Sequence, residues 1–79
     1  KSAPEEDSLL ARLRSARSQL ARIHDVPLYV VASNRSLEEM AEQLPRSKHA
    51  MEEIHGMGPK RIRLYGKPFI DVIRTWGGT

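Results

Sequence analysis

The sequence predicts an all-α domain, a compact bundle of five helices with a glycine hairpin before the last. Apolar residues recur at steps of three and four, the helical period, in two long stripes. One is Leu9, Leu13, Ala16, Leu20 and Ile23; the other is Ile62, Tyr65, Phe69, Ile73 and Trp76. No stretch alternates apolar and polar residues for long enough to make a strand. Prolines and glycines fall between the periodic segments, and serines stand at helix-capping positions.

Ser8 is a candidate N-cap for the first helix, and Glu5, Glu6 and Asp7 stand where the helix dipole favours negative charge. Arg12, Arg14, Gln19 and Arg22 lie largely off its stripe. Pro27 ends this helix, because the residue before a proline avoids helical geometry, and also suits the first position of the next element. Residues 27–33 are rich in β-branched side chains. Without a partner strand they read as a short helix or a 3₁₀ turn. Ser36 with Glu39 three residues on makes a capping box. Leu37, Met40, Ala41 and Leu44 then form an apolar face that Pro45 closes. Ser47 is placed to cap a short fourth helix with Met51 and Ile54 inward. Gly56-Met57-Gly58 turns the chain, with Met57 at a tip that can be exposed. Pro59 suits the first position of the last helix. Pro68 removes a backbone donor inside that helix, so a kink is expected near Gly66 and Lys67. The expected organisation is a flexible end or linker over 1–7, the helical domain over 8–76 and a flexible end over 77–79.

The chain has 79 residues and no cysteine, which excludes disulfides and thiolate metal sites. A domain of this size buries only about 60–65% of its unfolded surface, which leaves no room for a large cofactor pocket. The longest apolar run, residues 28–32, is far too short to cross a bilayer. The sequence starts at Lys1 without an apolar leader and reads as a segment of a longer chain. His24, His49 and His55 form no metal-ligand spacing. No phosphate-binding loop and no oriented nucleophile are present, so this segment is not expected to be an enzyme. Met40, Met51 and Met57 read as gap-fillers in the core.

Charge is distributed in blocks. Residues 8–35 carry Arg12, Arg14, Arg17, Arg22 and Arg35 against Asp25, a net of +4. Residues 36–55 carry Arg46 and Lys48 against Glu38, Glu39, Glu42, Glu52 and Glu53, a net of −3. Residues 56–79 carry Lys60, Arg61, Arg63, Lys67 and Arg74 against Asp71, again +4. If the basic blocks meet in space they form a patch that attracts phosphate. The glycine hairpin lets backbone amides approach a ligand, and Lys60 and Arg61 come directly after it. Arg35, just past the 27–33 element, is placed to reach a phosphate.

Pro27 with Tyr29-Val30-Val31, then residues 37–45, then Ile54-His55-Gly56-Met57-Gly58, Lys60 and Tyr65-Gly66-Lys67-Pro68-Phe69 form an ordered set. It resembles the HRDC domain, the helicase-and-RNase-D C-terminal module, from about Leu9 to Trp76. The last five residues of the set and Met40-Ala41-Glu42-Gln43 are most similar to bacterial RecQ-type DNA helicases. RNase D versions are the weaker match. The resemblance implies a five-helix HRDC-type bundle joined by a linker to an ATP-dependent 3'-5' DNA helicase core acting in recombination and repair. ATP and Mg belong to that core, and no cofactor or metal is implied for this segment.

The resemblance also implies an accessory site for DNA, single-stranded or branched. Tyr29 matches an aromatic implicated in contacting single-stranded DNA, and Lys60 and Arg61 match basic positions after the hairpin. Arg35, Arg22 and Lys67 complete the candidate nucleic-acid-binding set. Tyr65, Phe69 and Trp76 read as core. The alternative is a regulatory module that docks on the helicase core or another protein through Glu38, Glu39, Glu42, Glu52 and Glu53. A monomer is expected, because both long stripes are needed for one small core, as is a bacterial cytoplasmic, nucleoid-associated location.

Overall fold

The structure is a computed structural model that describes residues 8–77; the ends expected to be flexible, residues 1–7 and 78–79, lie outside the described residues. Among the described residues five helices succeed one another: α1 Leu9–His24, α2 Leu28–Val31, α3 Asn34–Gln43, α4 Lys48–Met51, and α5 over residues 59–77. No strand is present among the described residues. α5 has three consecutive parts, Pro59–Arg61, a π-helical turn Ile62–Gly66, and Lys67–Gly77. The long α1 packs along the last part of α5, and α2 and α3 pack on α1.

Ser8 caps α1 as its position predicts, its hydroxyl accepting from the Ala11 N–H at 3.0 Å. Leu9, Leu13 and Leu20 are buried. Ala16 packs partly buried against this core, and the stripe departs from the predicted line only at its end. Arg17 and Ala21 are buried beside it, while Ile23 is 75% exposed. Asp25 takes the left-handed conformation (φ 56°) and its N–H closes on the Ala21 and Arg22 carbonyls. The chain leaves the helix axis there for α2, and the face carrying Ile23 stays uncovered.

Arg17 is buried because its guanidinium has backbone to serve. Nη1 donates to the Ala32 carbonyl at 3.1 Å and to Asn34 Oδ1 at 2.9 Å, tying α1 to the α2–α3 junction. Burial first, and then the neighbouring Arg14 charge, lower its pKa; an arginine still keeps its charge at neutral pH.

Residues 28–31 form one helical turn, resolving the open choice at that segment in favour of helix. Pro27 is its N-cap (φ −63°, ψ 158°), one position earlier than the first helical residue. Val31 and Ala32 are fully buried, whereas Leu28 and Tyr29 are exposed.

The start of α3 differs from the predicted capping box. Ser33 is the N-cap, its hydroxyl accepting from the Ser36 N–H at 3.1 Å. The cap lies three residues earlier because Ser33 already has the extended backbone and the hydroxyl that the position needs. Ser36 is thereby turned into the core, where its hydroxyl donates to the His55 carbonyl. Leu37 and Met40 are fully buried. Leu44 is the C-cap in left-handed geometry (φ 56°) and turns out to 39% exposure, so it leaves the predicted apolar face. Ser47 caps α4 through the Ala50 N–H at 3.0 Å, and Met51 and Ile54 are buried as predicted.

The hairpin is held by one conformationally special glycine. Gly56 has φ +80°, and a Cβ there would lie 2.9 Å from Ser36 Oγ. Gly58 has ordinary extended geometry and open space around it. Met57 is 4% exposed, so the hairpin tip is plugged into the core. Pro59 opens α5 as predicted. The disruption by Pro68 takes the form of the wider Ile62–Gly66 turn, which lets the helix continue past the missing N–H. Gly66 fits that turn closely: a Cβ would meet Ile62 Cγ2 at 3.2 Å. Tyr65, Phe69 and Ile73 are buried as the stripe predicts, with Ile70 added. Trp76 is 37% exposed rather than core. It sits near the end of the helix, where the Arg12 guanidinium lies 5.3 Å from its ring centroid.

Candidate nucleic-acid interface

The fold joins the two segments that the sequence singles out, and Arg61 is the joint. From the first turn of α5 its Nη1 donates to the Gly56 carbonyl at 2.9 Å and its Nη2 to the Tyr29 carbonyl at 3.3 Å. One planar guanidinium thus brackets the hairpin and α2, a task for which a fork of fixed donors is suited and a lysine is not. Tyr29 is 70% exposed. A one-turn helix with Val31 as its buried anchor leaves the preceding residues outward. Lys60, adjacent to Arg61 in the chain, is exposed.

α3 fixes the other side of the hairpin. The His55 carbonyl accepts from the Ser36 hydroxyl. The His55 N–H donates to Glu39 Oε1 at 2.8 Å. That backbone bond, followed by the Arg35 guanidinium 3.4 Å from Oε2, holds the Glu39 carboxyl below the usual carboxylate range. Both polar groups of the residue before Gly56 are therefore met by side chains one helical turn apart on α3.

The other candidates are distributed around this centre. Arg22 is exposed and lines an open groove with Ser18, Asp25, Val26, Pro27 and Leu28, which leads to the residue before Tyr29. Arg35 keeps 67% side-chain exposure while paired with Glu39. Lys67 stands apart. Its Nζ lies 3.3 Å from Asp71, in a different cleft lined by Arg46, Ser47, Lys48, Ile70 and Arg74. Among the described residues no hydrogen bond or ion pair links it to the Tyr29 region.

The acidic residues are also of two kinds. Glu39 is engaged within the domain. Glu38, Glu42, Glu52 and Glu53 are exposed, with Glu52 3.9 Å from the His49 ring. Among the described residues no cluster of three or more His, Asp or Glu is placed to hold a metal ion, and no helix is long and apolar enough to cross a membrane.

Arg46, Lys48 and Arg74 are absent from the predicted site, although they share a cleft with Lys67. Arg46 and Lys48 sit in an acidic stretch of sequence, where block charge hides them. The bracing roles of Arg17, Ser36 and Glu39 were equally unmarked. The one available signal was Ser33, three residues before Ser36 and equally able to cap.

Comparison with known proteins identifies the family. The family model of the HRDC domain matches residues 6–73. The chain is similar to the ATP-dependent DNA helicase RecQ of Haemophilus influenzae, 36% identical over 69 residues, covering 87% of this chain and 11% of that protein. It is also similar to the RecQ of Bacillus subtilis, at 33% over 72 residues, covering 91% and 12%. The ATP-dependent DNA helicase UvrD2 of Mycobacterium tuberculosis is 33% identical over 69 residues, covering 87% and 10%. The chain spans about a tenth of the length of these relatives. With the family model matching nearly every described residue, and with bacterial RecQ helicases among its relatives, the chain belongs to the HRDC domain family.

Proposed function

We propose that this chain is the accessory DNA-binding module of a RecQ-type ATP-dependent DNA helicase that acts in recombination and repair. In this reading the ATP- and Mg-dependent strand separation takes place elsewhere in the parent protein. The module itself is non-catalytic and monomeric, and works in the bacterial cytoplasm at the nucleoid. The observation that carries the reading is an exposed Tyr29, 70% accessible, whose backbone is bracketed to the hairpin by Arg61 beside Lys60. An exposed aromatic stacks on any base, worth about 1–3 kcal/mol per base, and nearby cations meet the backbone. Arg22 and Arg35 flank this surface. A single strand, whose bases are free to stack, is the preferred form, alone or at a branch.

Affinity should be weak, about 10⁻⁴–10⁻⁶ M. About three phosphate contacts at the Tyr29 surface would contribute a log–log salt slope near −2 on a single strand. The test is fluorescence anisotropy of a labelled single strand and its duplex at two salt concentrations. Tyr29→Ala is expected to weaken single-strand binding about 5-fold or more, and Lys60→Ala to lower the slope by about 0.7. Salt-independent binding would sink the mechanism. No binding up to about 1 mM protein would shift the role to docking on the helicase core through Glu38, Glu42, Glu52 and Glu53, since non-specific DNA affinity lies well within that range.

A further inference from the structure

The cleft beside Lys67 has a composition that the Tyr29 surface lacks. It is an open depression of about 320 Å³ between the start of α4 and the middle of α5. Arg46, Lys48, Lys67 and Arg74 line it against the single carboxylate of Asp71, a net of +3. Lys67 is paired with Asp71. The side chains of Arg46, Lys48 and Arg74 make no hydrogen bond or ion pair with any described residue. Three exposed cations on one concavity repel one another, and among the described residues Asp71, already paired with Lys67, is the one carboxylate in the lining. An arrangement of this kind is stabilised by an anion from outside.

We propose that this cleft is a second phosphate-binding surface, which holds the DNA backbone independently of Tyr29. It rests on the DNA-binding reading for its choice of polyanion, and it shares no residue with the Tyr29–Lys60–Arg61 surface. The lining contains no aromatic platform of the kind Tyr29 offers, and its functional groups are mainly cations. Its contacts are therefore to phosphate and are indifferent to sequence and to strand form. An acidic protein partner fits less well. Protein interfaces concentrate their energy in buried apolar and aromatic anchors, and the one apolar residue here, Ile70, is only 6% exposed and offers nothing to grip. Two arginines with fork geometry and two flexible lysines match the spaced oxygens of a phosphodiester chain. The described domain measures 36 Å in its longest dimension. A 20-base strand in duplex form extends about 70 Å, enough for one DNA molecule to reach both surfaces.

The consequence is a division of labour. Tyr29 selects unstacked bases, and the Arg46–Arg74 cleft grips backbone of either form. A domain with both holds a junction between single and double strand better than either alone.

The experiment titrates the 79-residue chain with a 20-base single strand, its duplex, and a deca-glutamate peptide. Anisotropy is read at several salt concentrations and backbone amide shifts by NMR. It compares wild type, Tyr29→Ala and the triple variant Arg46→Gln/Lys48→Gln/Arg74→Gln, whose changes are all at exposed positions, with circular dichroism as the folding control. The expected result is amide shifts at Ser47, Lys48 and Arg74 with both DNA forms. The triple variant should lower the single-strand salt slope by about 2 and the duplex slope by about 2.7. The loss factor of Tyr29→Ala should be the same in either background, as for independent sites. Shifts at Tyr29 with none in the cleft, and an unchanged slope in the triple variant, would overturn this proposal and leave the Tyr29 reading standing. Shifts in the cleft with none at Tyr29 would do the reverse. Deca-glutamate binding the cleft more tightly than DNA would reassign it to an acidic protein, and no shifts anywhere would remove both.

Discussion

The seam between α1 and α5 and the join between α2 and the hairpin are built on different physics. The seam is apolar: Leu13, Phe69 and Ile73 are fully buried, in line at helical spacing. The join is polar. Arg61 serves the Gly56 and Tyr29 carbonyls, Ser36 and Glu39 serve the two backbone groups of His55, and Arg17 serves the Ala32 carbonyl from behind. Apolar burial is nondirectional and tolerant, whereas a side chain that meets a particular carbonyl fixes a particular backbone position. The scaffold therefore needs only volume, while the surface that presents Tyr29 depends on individual donors and acceptors.

The sharpest break of this contrast is at the seam. Phe69→Ala removes the largest fully buried side chain and should cost about 3–5 kcal/mol. For a domain this small that is a large fraction of total stability. Urea unfolding followed by circular dichroism should show the midpoint collapse, with all binding lost together. A loss under about 1 kcal/mol would mean that the seam is not the core.

At the join, Gly56→Ala is the corresponding test. The substitution forces an L-residue to φ +80° and places its Cβ 2.9 Å from Ser36 Oγ, the atom that holds the His55 carbonyl. The expected cost is about 1–3 kcal/mol, less than for Phe69. The companion Gly58→Ala should be tolerated, because nothing lies within 4 Å of its Cβ and its φ is ordinary. Equal losses at the two glycines would show that hairpin tightness, rather than one left-handed residue, sets the turn.

The same contrast explains what could be read from the sequence. The seam was legible: the period-3.6 stripes, the caps at Ser8 and Ser47 and the proline at the start of α5 are local signals. They fail where the chain leaves the axis, at Ile23 and Trp76, because periodicity alone does not tell where a helix loses its partner. The members of the join were named in part, as Tyr29, Arg61 and the hairpin glycines, but their connection was not. Arg61 and the Tyr29 carbonyl are 32 positions apart, and an arginine that will meet a carbonyl looks like any other cation. Ser33 and Ser36 show the same problem at short range. Both can cap, and the choice falls to Ser33 because the His55 carbonyl, distant in sequence, needs the other hydroxyl. The Arg46–Arg74 cleft was invisible for a related reason, since its cations come from opposite-signed blocks.

The smallest expected effect is a test of whether the polar join responds to its solvent. Glu39 accepts from the His55 N–H, and this bond, with Arg35 behind it, lowers the carboxyl pKa in the folded state. Folding therefore favours the deprotonated form. The stabilisation is fully present above the ordinary glutamate value and is lost as pH falls through the lowered folded value. In Glu39→Gln the amide oxygen still accepts from the same N–H but carries no charge and does not titrate. The comparison cancels every other carboxylate, since all are common to both proteins. The urea midpoint of wild type should exceed that of Glu39→Gln at pH 7, and the gap should close toward pH 3. Phe69→Leu changes no titrating group and its site is fully buried, so that variant should lose stability by the same increment at both pH values. A gap between wild type and Glu39→Gln that persists unchanged at pH 3 would mean that the amide geometry, not the charge, supports the hairpin. The join would then resemble the seam in being set by shape.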